Sequence, residues 1–259
     1  MIMNISCEEV LDFLLCGAEL FTRRDVGWIL AGFRPMPGDY RAYRVVRELE
    51  QRELIKRHGR GEELRFAVTA AGVARAAIAN PSREWNRPWD GKWRVFGYDL
   101  PLPRRKDRQI LWRALRARKL GLLQQSIWVW PHDVEPILLE LVEAQNIPEC
   151  FCGFESSRLF LTNDTEIVRA AWNFEEIGRS HQTYLGHLVA TPEAARHASD
   201  IGALARLARI ERQAYQYAFS LDPLLPRALW PKAYQGEKIE QRHLQFRSAV
   251  RHRLPKLTG

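Results

Sequence analysis

Arg41, Arg44, Arg47, Gln51 and Arg52 recur at spacings that place them on one arc of a helix, at about 100° per residue. Ala42, Tyr43, Val46 and Leu49 fall on the opposite arc. A row of guanidinium groups on an apolar back attracts a polyanion, and arginine's planar fork suits phosphates and carboxylates alike. The chain continues as Leu54-Ile55-Lys56-Arg57-His58, a Gly59-Arg60-Gly61 turn, and a return run in which Leu64, Phe66 and Val68 alternate with polar or small neighbours. That alternation predicts a two-stranded hairpin with a positive tip. On this reading Arg41, Arg44, Arg47 and Gln51 face a DNA groove, and Lys56, Arg57 and Arg60 face phosphates.

A second cationic row lies between residues 104 and 119. Arg105, Arg108, Arg113, Arg116 and Lys119 share one face, with Trp112 among them, while Ile110, Leu111, Ala114, Leu115 and Ala117 share the other. Like charges at i,i+3 and i,i+4 repel, so something anionic compensates this face. Three sources remain open: acids from the C-terminal domain, the phosphates of a CoA-like effector, or the DNA backbone.

Other chemistries find no motif. Cys7, Cys16, Cys150 and Cys152 form no CxxC pair, the seven histidines show no HxxxH or HExxH spacing, and neither a Gly-rich phosphate loop nor a GxSxG elbow is present. The expectation is a binding protein that uses no cofactor and no metal, rather than an enzyme. No apolar run approaches the roughly 18 residues of a membrane span, and the N-terminus lacks a signal-peptide pattern, so a cytoplasmic protein with no membrane partner is expected.

The formal charge of +8 is unevenly spread. Residues 1–100 carry 16 Lys and Arg against 14 Asp and Glu, residues 101–120 carry eight against one, and residues 121–259 carry 15 against 16. From Arg242 onward there are five basic residues and no acid, a second and smaller positive element. With 46% hydrophobic residues among 259, the chain can fill two or three cores.

Those cores are positioned by elements that follow from the pattern. Ser6 opens a capping box before a first helix, Thr22 and Asp25 start a second, and Asp39 caps the basic third helix, which runs through Leu54. With the hairpin behind it, this order is that of a winged helix-turn-helix over 1–80, and Thr69 caps a short Ala-rich helix at its end. A polar stretch, 81–92, reads as a linker, with Trp85, Trp89 and Trp93 clamping it onto a domain. Residues 93–163 then give a strand at WRVFGYDL, the basic helix stopped by Gly121, one strand over Leu123 to Trp130, a helix capped by Asp133, and a strand over Glu149 to Glu155. There is room for a fourth strand near Arg158 to Leu161, and a ferredoxin-like sandwich fits. From 164 to 259 the signal is helical, interrupted by the proline-rich LDPLLPRALWP at 221 to 231. The fold class expected is therefore α+β in three parts.

These segments, in this order, resemble the PaaX family of bacterial transcriptional repressors over nearly the whole chain. The resemblance rests on WDGKWRVFGYDLP at 89 to 101, LGLLQQSIWVWPHD at 120 to 133 and LDPLLP at 221 to 226. It implies a homodimeric regulator that binds an operator in double-stranded DNA and releases it on binding an aryl-CoA thioester. Two departures stand out: Glu53 where the family often has glycine after the recognition helix, and Gln216-Tyr217 where it usually has an arginine pair. The central segment also resembles the small ferredoxin-like subunit of the CRISPR adaptation complex, some versions of which are metal-dependent nucleases using an aspartate at the end of the first strand. Asp99 occupies that place, so a metal-dependent endonuclease is the alternative function, against the plainer expectation that Asp99 caps a helix or pairs with a nearby arginine.

Overall fold

The computed structural model describes residues 21–22, 40–59, 65–72, 81–100, 104–145 and 151–258. The two helices expected before Pro35, the Arg60-Gly61 turn and the helix after Thr69 beyond residue 72 lie outside the described residues. The fold mixes helices with two antiparallel sheets, and the chain gathers into two compact units. The first comprises Met1–Asn80, Thr183–Tyr217 and Glu237–Gly259; the second comprises Pro81–Gln182 and Ala218–Gly236. No described helix is long and apolar enough to cross a membrane.

In the first unit, helix α1 (Tyr40–Gln51) follows strand β1 (Phe21–Thr22) in the chain and buries Leu49 completely. Its end is set by Glu53, whose φ of 55° is left-handed, and by the Leu54 amide donating to the Leu49 carbonyl at 2.8 Å. The family resemblance places glycine here; a side chain in this conformation costs roughly 1 kcal/mol. Strands β2 (Ile55–His58) and β3 (Arg65–Val68) pair antiparallel from Ile55↔Val68 to His58↔Arg65, and β1 joins the far side of β3. The alternation read in the sequence is thus a hairpin. Thr69 caps the turn that follows, accepting a hydrogen bond from the Gly72 amide at 3.0 Å. A Cβ on Gly72 would overlap the Leu54 carbonyl oxygen, so only glycine lets the backbone close there.

The apolar backs of these elements do not form a core alone. Leu49, Leu54, Ile55 and Phe66 share one with Ala195 of α7 (Pro192–Arg196), Leu204 of α8 (Ile201–Ala218), and Phe246 and Val250 of α9 (Gly236–Arg253). Position numbering aside, the N-terminal hairpin and the C-terminal helices are one hydrophobic body.

The second unit is built on β4 (Trp93–Tyr98), α3 (Arg105–Ala117), β5 (Gly121–Gln124), β6 (Ile127–Trp130), α4 (Glu135–Gln145) and β7 (Phe151–Ser156). The sheet order is β5-β6-β4-β7 with every pair antiparallel, the connectivity of a ferredoxin-like sandwich. Two expectations are corrected. The segment Leu123 to Trp130 is not one strand: Gln125, with φ 28°, and Ser126 turn the chain between β5 and β6. No strand forms near Arg158 to Leu161, because the Ser156 hydroxyl and Arg158 backbone bond to each other in a tight turn instead. The fourth strand is therefore β7.

The stop of α3 is corrected as well. Lys119 takes the left-handed conformation, φ 62°, and the Leu120 amide reaches back to the Leu115 carbonyl. Gly121 starts β5, and it is glycine because a Cβ would stand 2.6 Å from the Trp172 ring. β4 is buried on both faces, which explains its nearly continuous apolar run. Phe96 packs with Leu111, Leu115 and Trp128 under α3 and α4, whereas Trp93 and Val95 pack with Ile167 and Val168 of α5 (Asp164–Ala171) and with Leu225 and Leu229. Trp85 of α2 (Pro81–Trp85) is buried edge-on against Trp230, and Trp93 donates to the Asp164 carboxylate at 2.8 Å, so these tryptophans are structural.

His132, just past β6, is buried, and burial followed by the nearby Arg87 and Arg94 lowers its pKa to about 4. The folded protein thus holds this imidazole neutral while the unfolded chain protonates near 6.5. Stability is full above that value and falls as pH drops from about 6.5 towards 4, by at most about 3 kcal/mol. Thermal unfolding at pH 7 and pH 5 is expected to show a larger loss for the wild type than for His132→Gln; equal losses would exclude this residue as the source.

Candidate functional site

The surface of α1 carries the first group of expected residues. Arg47 and Gln51 are exposed on it, as are Lys56 and Arg57 on β2. Arg41 and Arg44 lie on the same helix with side chains outside the described residues, and Arg60 is outside them altogether. The helix brings counter-charges that its arginine arc did not reveal. The Arg57 guanidinium holds the Glu50 carboxylate in two parallel bonds, with Nη2 to Oε2 at 2.6 Å, and so ties β2 to α1. Arg52 pairs with Glu48 at 2.7 Å. Arg47 and Lys56 make no ion pair among the described residues.

The second group lies around a cleft of about 560 Å³ at the end of β4. Tyr98 and Asp99 form one wall, Arg108, Gln109, Trp112 and Arg113 of α3 form another, and Gln125 and Ser126 of the β5–β6 turn close it. Arg108 donates from Nη2 to the Leu100 carbonyl at 2.5 Å, and the same nitrogen lies 3.8 Å from the Asp99 carboxylate. The Arg116 guanidinium sits over the Trp112 ring, 5.8 Å from its centroid.

The remaining cations of the row behave differently. Lys119 is past the helix end, and its ammonium donates to the Phe219 carbonyl at 2.7 Å. Burial lowers its pKa, opposed by the charge of Asp222. The Arg105 side chain lies outside the described residues. Arg104 pairs with Asp107 at 2.6 Å and Arg118 with Glu140 at 2.7 Å, so acids of the central fold neutralise part of the segment. Arg108, Trp112 and Arg113 line the cleft, and Arg116 does not line it but lies over the Trp112 ring.

Two guanidinium groups, an exposed indole, two amides and two hydroxyls suit a planar or phosphorylated anion. They do not suit a divalent cation: Asp99 is a single carboxylate beside an arginine, and no group of three His, Cys, Asp or Glu residues capable of holding a metal occurs among the described residues. The sequence reading missed Tyr98, Gln109, Gln125 and Ser126 as lining. The signal for the last two was present, a polar Gln124-Gln125-Ser126 run inside an apolar strand pair. Gln216 and Tyr217, where the family resemblance places arginines, are both exposed near the end of α8.

The solved structure of "Uncharacterized protein Rv0674 from Mycobacterium tuberculosis" is similar over 96% of this chain and 96% of that chain, with a TM-score of 0.66 and 16% sequence identity, which marks a shared fold. No curated protein matches the sequence. Residues 86–168, from the turn before β4 into α5, match the family model described as the PaaX protein central Cas2-like domain. Residues 86–168 are thus similar to the central Cas2-like domain of PaaX proteins.

Proposed function

We propose that this protein is a cytoplasmic, homodimeric transcriptional regulator of the PaaX type, a repressor that binds a specific operator in double-stranded DNA. The observation that carries this reading is the exposed Arg47 and Gln51 on a helix followed at once by an antiparallel hairpin, in a chain with a PaaX-type central domain. Residues 1–80 would form the winged helix-turn-helix, 81–92 the link to a ferredoxin-like domain at 93–163, and 164–259 the helical C-terminal domain. In this arrangement Arg41, Arg44, Arg47 and Gln51 read the major groove, and Lys56, Arg57 and Arg60 approach phosphates. Arg57 does so as the partner of Glu50, which makes it the weakest of the three. The cleft with Arg108, Trp112 and Arg113, together with Arg105 and Arg116, is the proposed place of an acidic effector such as a CoA thioester. Lys119, turned to the Phe219 carbonyl, does not line that cleft.

A titration of the purified protein with promoter DNA from upstream of its own operon tests this. Arg47→Ala is expected to cost about 1–3 kcal/mol and to relax specificity at one base pair, whereas Lys56→Ala weakens all sequences alike and lowers the salt slope by about one. Adding a CoA thioester is expected to release the wild type but not Arg108→Ala/Arg113→Ala. Wild-type binding by both single variants would remove the proposed DNA face. Nothing favours the endonuclease alternative: the geometry around Asp99 is an arginine pair, and no reaction is assigned to it.

A further inference from the structure

The positive C-terminal segment has no role in the function proposed above, yet it forms a shaped site. Arg196, Gln245, Ser248, His252, Arg253 and Lys256 line a cavity of about 410 Å³ with no acid among its lining residues. Arg196 comes from the last turn of α7, the next four from α9, and Lys256 from α10 (Pro255–Thr258). A helix C-terminus attracts cations, but that effect fades within the last turn and needs few of them. Here it draws Arg251, His252 and Arg253 from α9, and two further cations converge from separate elements.

The site is held in place. Arg253 donates from both Nε and Nη2 to the Ala198 carbonyl, at 3.0 and 2.7 Å, which fixes its guanidinium plane. Leu254, beside it, is fully buried in the core that also contains Ala195 and Ala198. Arg196 has one acid, Glu193, at 2.8 Å, and that carboxylate is shared with His197, also at 2.8 Å. That carboxylate, which does not line the cavity, is thus shared between Arg196 and His197. Lys256 is exposed and makes no ion pair among the described residues. Guanidinium, ammonium, imidazole, amide and hydroxyl donors around a small open volume are the donor set of a phosphate site.

We infer that this cavity takes a phosphate of the DNA backbone, giving the protein a second anchoring point besides α1 and its hairpin. This rests on the DNA-binding reading and extends it. The core around Leu254 and Ala198 is the same core that buries Leu49 and Leu54 at the end of α1, so site and helix belong to one packed body. A contact of this kind adds affinity and salt dependence without reading sequence.

The test is duplex binding by the full chain between 50 and 200 mM salt, comparing wild type with Arg196→Gln/Lys256→Gln. Both residues are exposed, so the unfolding transition is expected to stay in place. Binding to operator and unrelated duplex should weaken by the same factor, with the slope of log affinity on log salt shallower by about one. Lys232→Gln/Lys238→Gln removes the same formal charge at exposed positions outside the cavity and should leave the slope unchanged. An unchanged slope in the first variant beside a DNA-binding wild type overturns this inference alone. A wild type that binds no duplex overturns the DNA reading and this inference with it. If inorganic phosphate raises the melting temperature of the wild type but not of the variant while the slopes agree, the site serves a free phosphate, and the backbone assignment is wrong.

Discussion

Asp222→Ala is expected to destabilise the protein by about 3–5 kcal/mol, seen as a lower denaturant midpoint with little change in slope. Asp222 and His181 are each 1% exposed. One oxygen of Asp222 accepts from the Leu224 amide at 2.8 Å, and the other lies 2.7 Å from the Tyr234 hydroxyl and 3.1 Å from His181 Nε2. Deleting the carboxylate removes the partner of two buried polar groups, His181 and the Leu224 amide, together with that of the half-buried Tyr234 hydroxyl, and each buried group so affected costs about 1–3 kcal/mol. It also frees Leu224, held at φ 54° in the turn between two prolines. The consequence reaches the central domain, because this turn delivers Leu225 and Leu229 onto the face of the sheet that holds Trp93 and Val95. Asp222→Asn, which keeps an acceptor for the Leu224 amide, should lose markedly less. A loss below about 1 kcal/mol for the alanine variant would show that the proline-rich turn is organised by packing alone.

What was legible in the sequence follows from how local each signal is. The run WRVFGYDL reads as a strand from its alternation, and α1 reads as a helix because Val46 and Leu49 repeat at helical spacing opposite Arg47 and Gln51, although it ends at Gln51 and not at Leu54 as the pattern suggests, because Glu53 turns left-handed. The β5–β6 turn was hidden for a physical reason. It consists of Gln125 and Ser126, with no glycine, proline or asparagine to mark it, and the apolar residues on either side look like one strand. The end of α3 was misplaced by the same kind of substitution: lysine sits where a left-handed cap usually has glycine, while the glycine two residues on answers to the Trp172 ring. That misplacement also put Lys119 on the cationic face, since a helical arc was extended past the helix. The cleft around Arg108 and Trp112 was half visible, as a dense basic row, but its other wall comes from a turn that the strand reading did not contain.

Least legible of all was the polar network under α8 and α9, whose members are separated by 25 to 32 positions along the chain. Glu211→Ala is expected to cost about 3–5 kcal/mol. The Glu211 carboxylate is buried; it accepts from the Tyr184 hydroxyl at 2.6 Å and lies 2.9 and 3.1 Å from His243 Nδ1. His243 stacks on Tyr215 with centroids 3.8 Å apart, and the Tyr215 hydroxyl donates to Glu240. Burial first, then the charge of Glu211, raises the Tyr184 pKa far above its usual value, while burial and the bond to Glu240 do the same for Tyr215. Both phenols therefore remain protonated and donate. Removing Glu211 leaves Tyr184 and His243 without their acceptor in a closed core, whereas Glu211→Gln still accepts from Tyr184 and should recover part of the loss. Because Leu204 of α8 and Phe246 and Val250 of α9 form the bed on which Leu49 and Leu54 rest, the alanine variant should also lose DNA binding at temperatures where the wild type retains it. Urea titrations monitored beside duplex binding separate the outcomes: coincident loss of structure and binding supports a shared core, and binding that survives the unfolding of α8 and α9 would mean that the helix and hairpin stand on their own.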